Sequence, residues 1–223
     1  MTFDYPRRFA RAERLSDAAV HIVGLSLALA AVPVLIWLSV ERRGEVGVVM
    51  AVSVYGATLL GMLGCSALYN MTAENRLTPV FKRLDHSAIY LKIAGTFTPL
   101  VALTGGGGMA LLASLWAVAL GGSSLKIIAP HKLRWLGLAL YLGMGWVGVW
   151  FGRDIFAGLT PGGVGLIVAG GLLYTVGVVF FLWERLPFNT AIWHVFVLVA
   201  SSLFYAAMYV ELIRVIEPVF TVG

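Results

Sequence analysis

Apolar residues fall along this chain in long runs divided by short polar breaks. Seven runs reach or approach the roughly 20 residues that a helix needs to cross a bilayer. They cover residues 18–40, 46–69, 87–104, 109–129, 134–151, 161–183 and 191–213. Each run is apolar on every side, without the alternation of a barrel strand, so the spans are predicted to be helices. Of the breaks, only 70–86 is long enough to hold structure of its own. The pattern predicts an all-α integral membrane protein: one domain over residues 1–223, folded as a seven-transmembrane-helix bundle.

Composition agrees with this reading. The chain is 60% hydrophobic and 12% charged, with a mean hydropathy of +0.90. A soluble domain carries about 25% charged residues, so most of this chain does not face water. Disordered, collagen-like and disulfide-stapled classes are excluded, the last because Cys65 is the single cysteine.

Basic residues set the orientation. Arg7, Arg8, Arg11, Arg14, Arg76, Lys82, Arg83, Lys126, Lys132, Arg134 and Arg185 fall on one side. Only Arg42, Arg43, Arg153 and Arg214 fall on the other. The N-terminus is therefore expected in the cytoplasm and, after an odd number of spans, the C-terminus outside. The net charge of +5 follows from this asymmetry and not from a nucleic-acid surface. Arg7 to Arg14 and Ala28–Leu29–Ala30 have the look of a cleavable signal, but the run is too long, and Asp17 and His21 interrupt its start.

Trp37, Trp135, Trp150, Trp183 and Trp193 stand at span ends, where amphipathic rings anchor. Glycines crowd the fifth and sixth spans, including the Gly148–Gly152 pair, and are read as close packing within the bundle. The basic cluster of Lys126, His131, Lys132 and Arg134 is read as part of the charge bias. No internal repeat divides the chain, which weakens a transporter reading. The seventh span has no lysine, which disfavours a retinal protein.

Ionisable groups inside a membrane are costly and mark function by default. Given the orientation, His21, Ser66, Asn70, Asp85, His86, Thr190 and His194 all lie near one cytoplasmic-leaflet level, brought there by four helix ends. Glu13, Asp17 and His21 recur every four residues, one helical stripe if the first helix starts early. Ser66 with Asn70, and Thr190 with His194, are neighbours at i,i+4. Each pair alone reads as an interhelical hydrogen bond, whereas the whole set at one depth reads as a site.

The residues that form this set also carry a resemblance. Ser66–Asn70, the block Phe81–Pro99 with Asp85-His86 inside it, Ile192–Leu198, and Glu13-x3-Asp17-x3-His21-x2-Gly24 resemble the hemolysin III family, within the progestin and adipoQ receptor group. The resemblance spans Glu13 to about Tyr209. It implies a seven-helix fold with a cytoplasmic N-terminus, in the cytoplasmic (inner) membrane of a bacterium. It also implies a zinc ion held by Ser-x3-His on the second helix, an Asp on the third and His-x3-His on the seventh.

Ser66, Asp85 and His194 match that pattern, while Asn70 and Thr190 stand where histidines belong. Amide and hydroxyl oxygens are poor zinc ligands beside imidazole. No metal is therefore expected, Asp85 and His194 being the remaining candidates, with His86 or His21 as substitute ligands. Lys92 lies seven residues after Asp85 on nearly the same face. It either replaces the missing metal as the partner of Asp85 or snorkels to the inner interface and pairs with nothing.

The resemblance implies a role in membrane lipid homeostasis. Asp17, His21, Asn70, His86, Lys92 and Thr190 line a pocket for a membrane lipid or fatty acid. The alternative is a zinc-dependent lipid amidase or esterase of ceramidase type, with Ser66, Asp85 and His194 as its catalytic residues. Whether the chain is an enzyme stays open at this point. A cytolysin, as the family name suggests, finds no polar stripe crossing a full span.

Overall fold

A computed structural model describes residues 7–73, 75–106, 108–128 and 134–214. His131 and Lys132 lie outside the described residues, and so do the side chains of Arg7, Arg8 and Arg134. The fold is helical throughout, with no strand among the described residues. The helices are α1 (Arg7–Arg42), α2 (Val46–Met71), α3 (Thr78–Leu103), α4 (Met109–Ile128), α5 (Arg134–Phe151), α6 (Arg153–Ala157), α7 (Pro161–Leu182) and α8 (Asn189–Ile213).

Five of these are long and apolar enough to cross a membrane: α1 from Arg11, α2, α4, α7 and α8. A shorter apolar stretch, Trp135–Gly148, lies in α5. The residues turned outward are the apolar ones, among them Ile22, Leu27, Trp37, Met50, Leu120, Trp150 and Val179, each at least half exposed. A soluble fold does not present such a surface, and lipid covers it here.

Successive helices pack side by side from α1 to α4, α7 pairs with α8, and α8 returns to α1. That last contact closes the ring. Helix α3 has the charged residues Lys82, Arg83, Asp85 and Lys92, yet twelve of its residues are buried, against five in α7. It touches α2, α4, α5 and α8. Protein therefore surrounds it on most sides, and this is why its polar residues survive in an otherwise apolar bundle. Close approach depends on missing side chains: a Cβ at Gly95 of α3 would strike Thr58 of α2, and one at Gly177 of α7 would strike Phe196 and Trp193 of α8. Trp193 packs between helices, against Phe181 at 5.4 Å between ring centroids.

Two helix ends differ from expectation. Helix α1 begins eleven residues before the apolar run and α3 begins nine before, so the break at 70–86 is mostly helix. Hydropathy marks where lipid ends. The backbone ladder continues past that level because each further turn adds a hydrogen bond per residue fixed. The early start of α1 is what puts Glu13 and Asp17 on a helix.

Candidate functional site

The start of α8 is pinned to α1. Phe188 precedes α8 in the left-handed region, with φ of 60°, unusual for a bulky residue. Its N–H donates to Glu13 Oε1 at 2.9 Å. One turn further along α1, Asp17 Oδ1 accepts from His194 Nδ1 at 2.6 Å. Two rungs of the Glu13, Asp17, His21 stripe thus fix where α8 lies and which way its histidine faces.

The third rung completes the cluster. His21 Nδ1 donates to the Asp17 carbonyl oxygen at 2.8 Å. A carbonyl only accepts, so the proton is assigned to Nδ1 and the lone pair to Nε2. The bond to Asp17 makes the same assignment for His194. Both Nε2 atoms then meet one hydroxyl: Ser66 Oγ stands 3.2 Å from that of His21 and 3.4 Å from that of His194. The two rings sit edge to face at 4.3 Å. Asn70 Nδ2 donates to the Ser66 carbonyl at 2.9 Å and to its Oγ at 3.3 Å, fixing the serine from behind. Asp85 of α3 is buried beside the Ser66 hydroxyl, within electrostatic reach of His194 and Asp17.

Asp17, His21, Ser66 and Asp85 are all buried, and the His194 side chain is 11% exposed. The inventory is lopsided. Ser66 has one hydrogen to give, yet two bare Nε2 atoms and the Asp85 carboxylate compete for it. Unsatisfied acceptors away from water are costly, so this corner favours an added positive charge.

The donor set fits a divalent cation. Asp17, His21 and His194 each offer a ligand atom, and these atoms lie within 4.8 Å of one another.

A cavity of about 390 Å³ opens onto Asp17 from the α1 and α8 N-terminal side, lined by Glu13, Arg14, Asn70, Phe188, Asn189, Thr190 and Ala191. Thr190 is exposed at its rim, its hydroxyl on Asn189 Oδ1 at 3.4 Å. Not every residue singled out in the sequence joins the cluster. The His86 ring faces Tyr69 at 6.5 Å between centroids, while its carbonyl accepts from Tyr141.

Lys92 takes neither course expected of it. Its nitrogen reaches away from the Asp85 level, donating to Thr96 Oγ1 at 2.8 Å, and its side chain is buried among aromatic rings and not drawn out to the interface. A lysine stem has the length to lean either way, and Thr96 one turn onward offers the acceptor. Glu13 also lines the cavity, a place that its i,i+4 spacing from Asp17 signals in the sequence. Tyr55, Tyr174 and Phe204 around Lys92 gave no signal, since aromatics are ordinary in apolar spans.

The model of the family described as Haemolysin-III related matches residues 9–205. A Hemolysin-3 of Bacillus cereus is 39% identical over 195 residues, covering 86% of this chain and 89% of that protein. A Hemolysin-3 homolog of Bacillus subtilis (strain 168) is 33% identical over 204 residues, covering 90% and 95%. A human Monocyte to macrophage differentiation factor is 29% identical over 169 residues, covering 72% and 70%.

Proposed function

The chain belongs to the haemolysin-III-related family, within the progestin and adipoQ receptor group, and on that premise we propose that this multi-pass membrane protein acts in membrane lipid homeostasis. In this reading α3 and α5 join the five long apolar helices to make seven spans. The N-terminus is cytoplasmic, the membrane is the bacterial cytoplasmic membrane, and the cluster lies in its inner leaflet.

One observation carries the proposal. Two imidazoles, a serine hydroxyl and two carboxylates from four helices converge in a buried corner that is short of positive charge. Ionisable groups inside a membrane are costly and mark a functional site by default, the more so where their hydrogen bonds do not close among themselves. His21 and His194 would hold a divalent cation through their Nε2 atoms, with Asp85 beside Ser66 as the nearby carboxylate, and zinc suits such donors. Asn70 and Thr190 replace family histidines, and His21 from α1 supplies the second imidazole in their stead.

When bound, such an ion polarises an acyl carbonyl or activates water. The chain's own residues do the rest. Asp17 holds the His194 ring and its tautomer, as outer carboxylates do at metal sites. Asn70 fixes Ser66. The cavity rim at Asn70, Asn189 and Thr190 offers neutral hydrogen-bonding groups to a lipid headgroup.

A second reading, hydrolysis of a lipid amide or ester, is favoured by the connection Ser66–His194–Asp17, which places a hydroxyl next to an imidazole backed by a carboxylate. Metal analysis of the purified protein by mass spectrometry, with lipid profiling of the host membrane, tests the proposal. The wild type is expected to carry one divalent ion per chain and to shift membrane acyl-lipid composition when expressed. His194→Ala is expected to lose both. A metal-free wild type removes the cation, and identical lipid profiles for both proteins remove the function.

A further inference from the structure

Lys92 lies in the middle of the bundle and takes no part in the cluster described above. Its side chain is buried, with 3% of the residue exposed. An ammonium has three hydrogens to donate, and one goes to Thr96 Oγ1 at 2.8 Å. Thr96 spends its own hydrogen on the Lys92 carbonyl. Among the described residues no carboxylate pairs with Lys92. Its other neighbours are rings: Tyr55 of α2 at 5.3 Å, Tyr174 of α7 at 5.9 Å and Phe204 of α8 at 5.1 Å from the nitrogen.

A second, independent observation points the same way. Tyr55 is fully buried and its hydroxyl has no hydrogen-bond partner. It lies within electrostatic reach of Tyr174 and Tyr205. Those two hydroxyls are already engaged, with Ser201 Oγ at 2.6 Å and with the Ala31 carbonyl at 2.9 Å. The middle of the bundle therefore holds an excess of donors: two ammonium hydrogens and one phenol. Aromatic faces stabilise a cation, but they do not accept as an anion does. Unused donors far from water are costly.

We propose that Lys92 and Tyr55 form an anion-binding site at the centre of the helix bundle, taking one monovalent anion, either a halide or the carboxylate of a fatty acid. The ammonium supplies the charge, the Tyr55 hydroxyl a directed hydrogen bond, and Thr96 holds the lysine in place. This site stands apart from the proposed metal corner and does not depend on it.

The test is thermal unfolding of the full-length protein in detergent, in sodium gluconate, with sodium chloride or sodium oleate titrated in. Lys92→Met keeps an unbranched apolar stem, one atom shorter, and removes the charge. Tyr55→Phe removes only the hydroxyl. The wild-type Tm is expected to rise with one of the two anions, chloride identifying a halide site and oleate a carboxylate site. Lys92→Met is expected to abolish the rise, and Tyr55→Phe to weaken binding about tenfold, as fits loss of one hydrogen bond to a charged partner. A wild type that responds to neither anion, or a response that Lys92→Met retains in full, overturns the proposal.

Discussion

Two buried carboxylates on opposite sides of this bundle make an instructive pair. Glu211, near the end of α8, is 2% exposed. Its Oε1 accepts from the Thr160 N–H at 2.8 Å and the Thr160 hydroxyl at 2.5 Å, and its Oε2 faces Arg214 at 3.6 Å. Thr160 in turn caps α7, accepting from the Gly163 N–H. Every strong acceptor there has a donor, and the carboxylate sits at a helix N-terminus, which favours negative charge. Asp17, about 25 Å away along α8 at 1.5 Å per residue from Glu211 to His194, belongs to the opposite case. Its group has two imidazoles and a second carboxylate facing one serine hydrogen. Equal burial thus conceals different roles. A group whose hydrogen bonds close upon themselves staples helices together, and one left short of hydrogens invites a cation.

This contrast makes predictions of unequal size. The largest is Glu211→Ala, expected to lower unfolding stability by about 3 kcal/mol, because it leaves the Thr160 N–H and hydroxyl without their buried acceptor. Metal content should be unchanged. A variant that unfolds normally but loses its metal would erase the distinction between the two ends.

Next comes Asp17→Asn. The amide keeps the shape but no longer holds His194 with a charge, and metal affinity should fall by about tenfold to a hundredfold, as for outer-shell partners elsewhere. Calorimetric zinc titration measures it, and an unchanged affinity would make Asp17 a mere helix staple like Glu211.

The smallest effect is a gain. Asn70→His combined with Thr190→His puts imidazoles at the rim of the cavity that opens onto Asp17, and zinc should bind about tenfold tighter, since imidazole is the better ligand. A folded double variant with no gain would mean that the rim does not look into the cluster.

Parts of this site were legible before any coordinates. The i,i+4 stripe of Glu13, Asp17 and His21 and the pairing of Ser66 with Asn70 are properties of one helix each, and helical geometry alone places such residues on one face. The depth shared by Ser66, Asp85 and His194 followed from apolar run lengths. Other features were out of reach. Nothing local says that His86 faces Tyr69 while its neighbour Asp85 faces Ser66. Adjacent residues on a helix point about 100° apart, and only the positions of the surrounding helices decide which direction leads to the cluster. Lys92 shows the same limit, its Thr96 bond and aromatic surround being a matter of which rings α2, α7 and α8 bring.

The sequence by itself determined the solvent and the secondary structure. Long apolar runs leave lipid as the one medium that suits them, and in lipid the backbone must satisfy its own hydrogen bonds, which makes helices. The tertiary structure decided the rotation and neighbours of each helix. Those depend on close contacts such as Gly95 against Thr58 and on Glu13 gripping Phe188, interactions between residues far apart in the chain whose partners no spacing rule encodes.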